Sequence, residues 1–302
     1  MKDRDINLDW IKGFLIVCVV LGHTMRVGSR AGMLDQIVLR GIYGFHMPLF
    51  MLLCGYFFKL SSPGEIARKT LKRLVVPYCV GSVLFGGLNV LQGRPIVEVI
   101  ANVACGRGIG ALWFLYTVAF IQLIIAVGVC AYRRQASWAI PVMAALFAVG
   151  LASPIRCEAW SLFYFGSGMV LARNKELMPK GWIGLIGFGA FMWFGHPWYT
   201  ELGWKTISLS MCVLMILNSA SHILFDKFGG SVLSHLGRHT MIILIFHPLF
   251  STIFRVAQKT ILSVDGTGVT FFLLSAIFSV VGCLVLEVFL KRIKIGFLFG
   301  LK

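Results

Sequence analysis

Six long runs of this chain, 74–93, 108–132, 135–155, 181–200, 206–225 and 266–286, contain no Asp, Glu, Lys or Arg, and each is at least 20 residues long. A helix rises about 1.5 Å per residue, so about 20 residues cross the roughly 30 Å hydrocarbon core of a bilayer. A soluble domain covers its surface with about 25% charged residues. Here the figure is 13%, against 58% hydrophobic, which is too little charge to coat a water-soluble chain of 302 residues. Backbone groups in lipid have no water to bond, so each span must satisfy its own hydrogen bonds as a helix. The expectation is an all-α, polytopic integral membrane protein with about ten transmembrane helices in one bundle. The spans read as 8–26, 37–58, 74–92, 110–131, 137–153, 159–172, 181–196, 204–223, 238–256 and 267–288. No internal repeat or long linker divides them, so residues 1–302 read as a single membrane-embedded domain.

The net charge of +16 does not read as a nucleic-acid footprint, because the basic residues lie in short clusters between apolar spans. That is how a membrane protein sets its orientation. With the N-terminus inside, 18 basic residues fall on inner segments and 9 on outer ones, with Lys12 inside the first span. The bias predicts both termini in the cytoplasm, the lipid bilayer as a partner, and no nucleic acid. The N-terminus does not read as a cleaved signal peptide. Its first five residues carry two basic and two acidic charges, and no small-residue cleavage pattern closes the first span. The eight cysteines show neither a C-x-x-C pair nor Cys/His metal spacing, so no metal is expected. Cys105 and Cys157 fall in outer loops, where they can form a disulfide.

Ionisable residues within a span are costly and mark function by default. The first span holds Lys12 and His23, eleven residues apart. At about 100° per residue that is within about 20° of three full turns, so both share one face about 16 Å apart along the axis. Lys12, near the inner end, suits either snorkelling to the interface or anion binding. His23, near the outer end, suits either packing within a bundle or proton transfer. Asp9, three residues before Lys12, can pair with it or stand as an interfacial charge. The second span holds His46 two residues before Pro48, whose missing donor kinks the helix and frees a carbonyl. Pro77 and the pair His247-Pro248 place further kinks beside polar groups. Trp113 and Tyr116 suit stacking on a ring or an interfacial aromatic belt.

Taken together, these motifs resemble the membrane acyltransferase family known as acyltransferase-3. Asp9-Trp10-Ile11-Lys12-Gly13 through Leu21-Gly22-His23-Thr24 resembles its signature helix, a basic residue, ten others, then histidine. Phe45-His46-Met47-Pro48-Leu49-Phe50 with Cys54-Gly55-Tyr56 resembles its second helix. Arg73 to Tyr78 resembles the entry to its third, Leu112-Trp113-Phe114-Leu115 its fourth, and Leu236 to Thr240 with Phe246-His247-Pro248 a late span. The likeness is greatest to the sugar O-acetylase type. Two positions depart from the pattern. Lys12 stands where many members have Arg, which keeps the charge but loses the bidentate fork. Thr70 stands where many have the first Arg of an R-x-x-R pair, leaving Lys69 or Lys72 to substitute.

The resemblance implies transfer of an acyl group, most often acetyl from acetyl-CoA, to a hydroxyl of a cell-envelope or exported glycan. The enzyme would lie in a bacterial cytoplasmic membrane, with acyl-CoA as co-substrate and no bound cofactor. It implies His23, with His46 and Asp9, in catalysis. Lys12, Lys69, Lys72 and Arg73 would hold the CoA phosphates, and Trp113, Tyr116 and His247 would bind the acceptor. Kinked helices and buried histidines also suit a transporter or flippase for a glycan or lipid-linked sugar.

Overall fold

The computed structural model describes residues 5–28, 33–106, 110–133, 159–194, 203–224, 230–265 and 267–301. Helices account for almost all of them, and no strand occurs among the described residues. The helices are α1 (Ile6–Gly28), α2 (Met33–Phe57), α3 (Pro63–Thr70), α4 (Val76–Leu91), α5 (Ile96–Ala104), α6 (Leu112–Arg133), α7 (Ala159–Arg173), α8 (Ile183–Phe194), α9 (Trp204–Leu224), α10 (Gly230–Arg238), α11 (Thr240–Phe254), α12 (Gln258–Val264) and α13 (Val269–Arg292).

Nine of the ten expected spans coincide with helices; the span at 137–153 lies outside the described residues, as does Cys157 of the expected disulfide. Six stretches of the described residues are long and apolar enough to cross a membrane: Ile6–Thr24, Pro63–Leu91, Leu112–Arg133, Trp204–Ile223, Thr240–Val264 and Val269–Arg292. Of the other expected spans among the described residues, α7 and α8 have only 15 and 12 residues, and α2 contributes a shorter apolar run, Gly41–Phe57. A helix needs about 20 residues to cross the hydrocarbon upright.

Two compact units emerge. The first comprises Met1–Phe57 and Tyr164–Leu286; the second comprises Phe58–Phe163 and Glu287–Lys302. In the first, α1 packs against α2, α9, α10 and α11. Helices in lipid associate through close backbone approach, which small residues permit. The contact of α1 with α10 is of that kind: a methyl at Gly13 would fall on the Leu233 carbonyl, and one at Gly237 on the Asp9 carbonyl. The contact of α2 with α7 repeats it, with Gly55 against the Phe165 carbonyl and Gly168 against the Leu52 carbonyl.

In the second unit α3 begins with Pro63, which suits a first helical position, while the Glu65 N–H donates to the Ser62 hydroxyl at 3.4 Å. The helix continues through a π-helical turn, Leu71–Val75, into α4. Pro77 explains the turn: it has no N–H for the Arg73 carbonyl four residues back. The helical run therefore starts eleven residues earlier than the span expected at 74–92, because the basic residues at 68–73 hide an amphipathic extension from a hydropathy reading.

Candidate functional site

The interior of the first unit is apolar, and the polar groups on α1, α2 and α11 stand out against it. Near the N-terminal end of α1, the Lys12 ammonium lies 2.5 Å from the Asp9 carboxylate and 4.6 Å from the centre of the Phe57 ring. Only 18% of the Lys12 side chain and 5% of Asp9 are exposed. Lys12 therefore does not snorkel outward. It is half of a buried ion pair with a cation–π contact. The three-residue spacing brings the two onto adjacent positions of one helix face. Asp9 is thus engaged with Lys12 and lies about 21 Å along the axis from His23.

Three histidines gather higher up. His23 on α1 is half-buried, while His46 on α2 and His247 on α11 are buried. The rings of His23 and His247 meet edge to face, with centres 4.9 Å apart and planes at 71°. His46 also lies within electrostatic range of His23. Its ring meets Tyr43 edge to face at 5.0 Å. Tyr43 comes this close to α1 because position 22 is glycine: a methyl there would sit 3.1 Å from the tyrosine ring.

His46 and His247 share one device. The Nδ1 of His46 lies 2.6 Å from the Ile42 carbonyl, and the Nδ1 of His247 lies 2.8 Å from the Ile243 carbonyl. In each case the partner is the carbonyl four residues back on the same helix, and the His247 ring also interacts with the Leu244 carbonyl, which Pro248 leaves without its helical N–H. A carbonyl only accepts, so each Nδ1 must carry the proton and donate. Each neutral ring then presents Nε2 as a lone pair. The Nε2 of His247 is buried and meets no hydrogen-bond partner. Among the described residues no cluster of His, Cys, Asp or Glu suits a metal ion.

The other residues singled out in the sequence lie in the second unit. Thr70 is buried, and its hydroxyl donates to Gln122 Oε1 of α6 at 2.8 Å, so position 70 serves packing rather than the surface. Lys69 is paired with Glu65 at 2.5 Å. Lys72 and Arg73 are exposed on the π-helical turn. Trp113 is half-buried and meets the Trp160 ring at 6.2 Å. Tyr116 stacks on Phe120 and lies 5.4 Å from Tyr78, whose hydroxyl donates to the Val103 carbonyl. Gly106 has a positive φ of 67°, and a methyl there would strike the Tyr116 ring. These aromatics are packed from several sides.

Sequence reasoning singled out all three histidines but not Tyr43, nor the glycines that let α1 meet its neighbours. Gly22 beside His23, and Gly13 beside Lys12, were the available signals.

The pattern of the acyltransferase-3 family, described as an acyltransferase domain, matches residues 5–288. Among curated proteins, the chain is similar to nodulation protein NolL of Mesorhizobium japonicum, 27% identical over 260 residues, which is 76% of this chain and 65% of that protein. It is also similar to nodulation protein NolL of Sinorhizobium fredii, 42% identical over 78 residues, covering 24% of this chain and 20% of that protein. The chain thus spans less than two thirds of the length of these relatives. No solved structure matches it.

Proposed function

Because the chain belongs to the acyltransferase-3 family, we propose that it moves an acetyl group from acetyl-CoA to a hydroxyl of a cell-envelope or exported glycan. The observation that carries this reading is a half-buried histidine, His23, set among two further histidines inside an apolar helix, three turns above a half-buried Lys12. An acyl transfer of this kind needs one proton moved twice. The His23 lone pair takes the proton from the acceptor hydroxyl as its oxygen bonds to the thioester carbonyl carbon. The tetrahedral centre then collapses, the C–S bond breaks, and the imidazolium returns the proton to the leaving sulfur. The products are an O-acetyl ester and CoA thiol.

The nucleotide end of acetyl-CoA is anionic, so its phosphates are assigned to exposed cations. Lys72 and Arg73 fit that role better than Lys69, which is shared with Glu65, or Lys12, which is shared with Asp9. Lys12 serves instead to fix the inner end of α1. The acceptor is assigned to the histidine end, with His46 next to it; Trp113 and Tyr116 remain assigned to the sugar or CoA by the resemblance alone. On this reading the protein lies in a bacterial inner membrane with both termini in the cytoplasm, an orientation that the bias of basic residues supports.

The test is to reconstitute the protein in lipid nanodiscs with labelled acetyl-CoA and envelope glycan. The expected result is release of CoA thiol matched by ester-linked label on the glycan. Movement of glycan or lipid-linked sugar across a vesicle with no thioester consumed would overturn it in favour of a transporter.

A further inference from the structure

On the reading that His23 is the base, we propose that His247 is a positioning residue that sets the tautomer of His23 by accepting a hydrogen bond from it. A base must present a lone pair to the hydroxyl it deprotonates. A neutral imidazole has one lone pair and one N–H, and either nitrogen can carry the proton. Only one of the two His23 tautomers points its lone pair at the acceptor. A neighbour that can only accept removes the ambiguity, since the His23 nitrogen facing it must hold the proton.

His247 is such a neighbour. Its Nδ1 is committed as a donor to the Ile243 carbonyl at 2.8 Å. Its Nε2 is therefore an acceptor by necessity, and it is buried without a partner. A buried polar atom left without a hydrogen bond is destabilising, so a partner is expected. The ring that meets His247 is His23, edge to face with centres 4.9 Å apart. Two imidazoles joined by one N–H···N bond have centres roughly 5 Å apart, given the usual heavy-atom distance of about 2.9–3.0 Å. A small turn of the His23 ring closes that bond. The same bond then stabilises the imidazolium formed when His23 takes the acceptor proton, as the orienting group does in other histidine bases.

His46 has the same Nδ1 device but is differently placed. Its ring meets that of Tyr43 edge to face, whereas the ring that meets His23 in this way is that of His247. The positioning role therefore falls to His247.

Two substitutions separate this role from simple packing. In His247→Asn the amide nitrogen stands where Nδ1 was and keeps the bond to Ile243, but nothing reaches the place of Nε2. In His247→Gln the amide oxygen reaches that place, and the Nδ1 bond is lost. With labelled acetyl-CoA and envelope glycan in nanodiscs, His247→Asn should lower kcat on the order of 10²-fold with KM for acetyl-CoA unchanged. His247→Gln should stay within about tenfold of the native protein. The reverse order, Asn active and Gln impaired, would show a structural role and overturn the proposal, as would native rates in both. If neither variant accumulates, nitrogen NMR of histidine-labelled native protein decides. A His247 ring protonated at Nδ1, with its Nε2 coupled to a His23 proton, supports the proposal; a His247 ring protonated at Nε2 overturns it. A native protein that shows this coupling yet consumes no acetyl-CoA would overturn the proposed reaction and leave the His23–His247 bond standing.

Discussion

Helices α1 and α13 are both apolar and of similar length, 23 and 24 residues, yet they occupy opposite situations. Within the first unit α1 is wrapped by other helices and carries Asp9, Lys12 and His23 inward. The stretch of α13 in that unit, 269–286, exposes Leu273, Leu274, Ile277, Phe278, Val281 and Val285. Its polar groups are small and carry no charge: the Ser279 hydroxyl donates to the Ser275 carbonyl of the same helix at 2.7 Å, while the buried Ser275 hydroxyl meets no partner. Apolarity decides that a helix can lie in lipid; ionisable groups decide that it cannot face lipid. The signature helix is central because its charges need protein partners, and glycine lets those partners come close.

The largest effect should come from the histidine end of α1. His23→Ala should reduce acetyl transfer by about 10²–10⁴-fold while the protein still accumulates and inserts, read by glycan ester formation against protein level. The matching change on α13, Ile277→Ala, should leave transfer unchanged, since its side chain is 59% exposed. If His23→Ala keeps native turnover at native abundance, α1 is central for packing alone.

Next in size is the packing of α1 itself. Gly237→Leu places a side chain where even a methyl would fall on the Asp9 carbonyl. Overpacking of this kind costs about 1–3 kcal/mol or more, so the variant should accumulate poorly or melt earlier in detergent. Val281→Leu on the exposed face of α13 should do neither. Equal melting of the two variants would mean that α10 does not press on α1.

A smaller effect is expected at the ion pair. Removing one partner of a fully buried pair leaves an uncompensated charge and costs about 3–5 kcal/mol, whereas removing both is nearly neutral; here 18% of the Lys12 side chain still meets solvent, which lowers the cost. Lys12→Met should thus lower thermal stability because Asp9 is left alone, and adding Asp9→Asn should restore it. Activity returning in the double variant would show that Lys12 fixes the helix. Activity still missing at restored stability would return Lys12 to donor binding.

How much of this was legible in the sequence follows the reach of each interaction. The helices were legible because the absence of charge is local, and so was the Asp9–Lys12 pair, set by a three-residue spacing. The shared Lys12–His23 face followed from helical periodicity. The meeting of His23 with His247 was not legible, because nothing in a local pattern says which late helix lies against an early one. For the same reason Gly237 gave no sign that it faces Asp9. The start of the second unit's first long helical run was misplaced at 74 because basic residues at its amphipathic beginning resemble a loop, and Thr70 gave no sign of its bond to Gln122.

The smallest effect sharpens the contrast from the α13 side, where a carboxylate sits at the helix start. The Asp265 carboxylate accepts from the Thr267 hydroxyl, from the Thr267 N–H at 3.0 Å and from the Thr270 N–H at 2.8 Å. These bonds, the Thr267 hydroxyl first, hold its carboxyl below the ordinary carboxylate range. They occupy amide donors at the beginning of α13 that the helix cannot satisfy itself. A carboxyl depressed on folding contributes stability that is present above its unfolded pKa, about 3.9, and is lost as pH falls further toward the folded value. Asp265→Ala should therefore speed amide exchange at Thr267 and Thr270 about fivefold at neutral pH, as loss of a helix cap does. The native and variant rates should converge once the pH falls well below the unfolded pKa. Acetyl transfer should not change, because this cap lies at a helix end and touches none of the three histidines. A variant that exchanges like the native protein at neutral pH would show that the turn is held by its backbone alone, and one that loses transfer would mean that the start of α13 communicates with the site on α1.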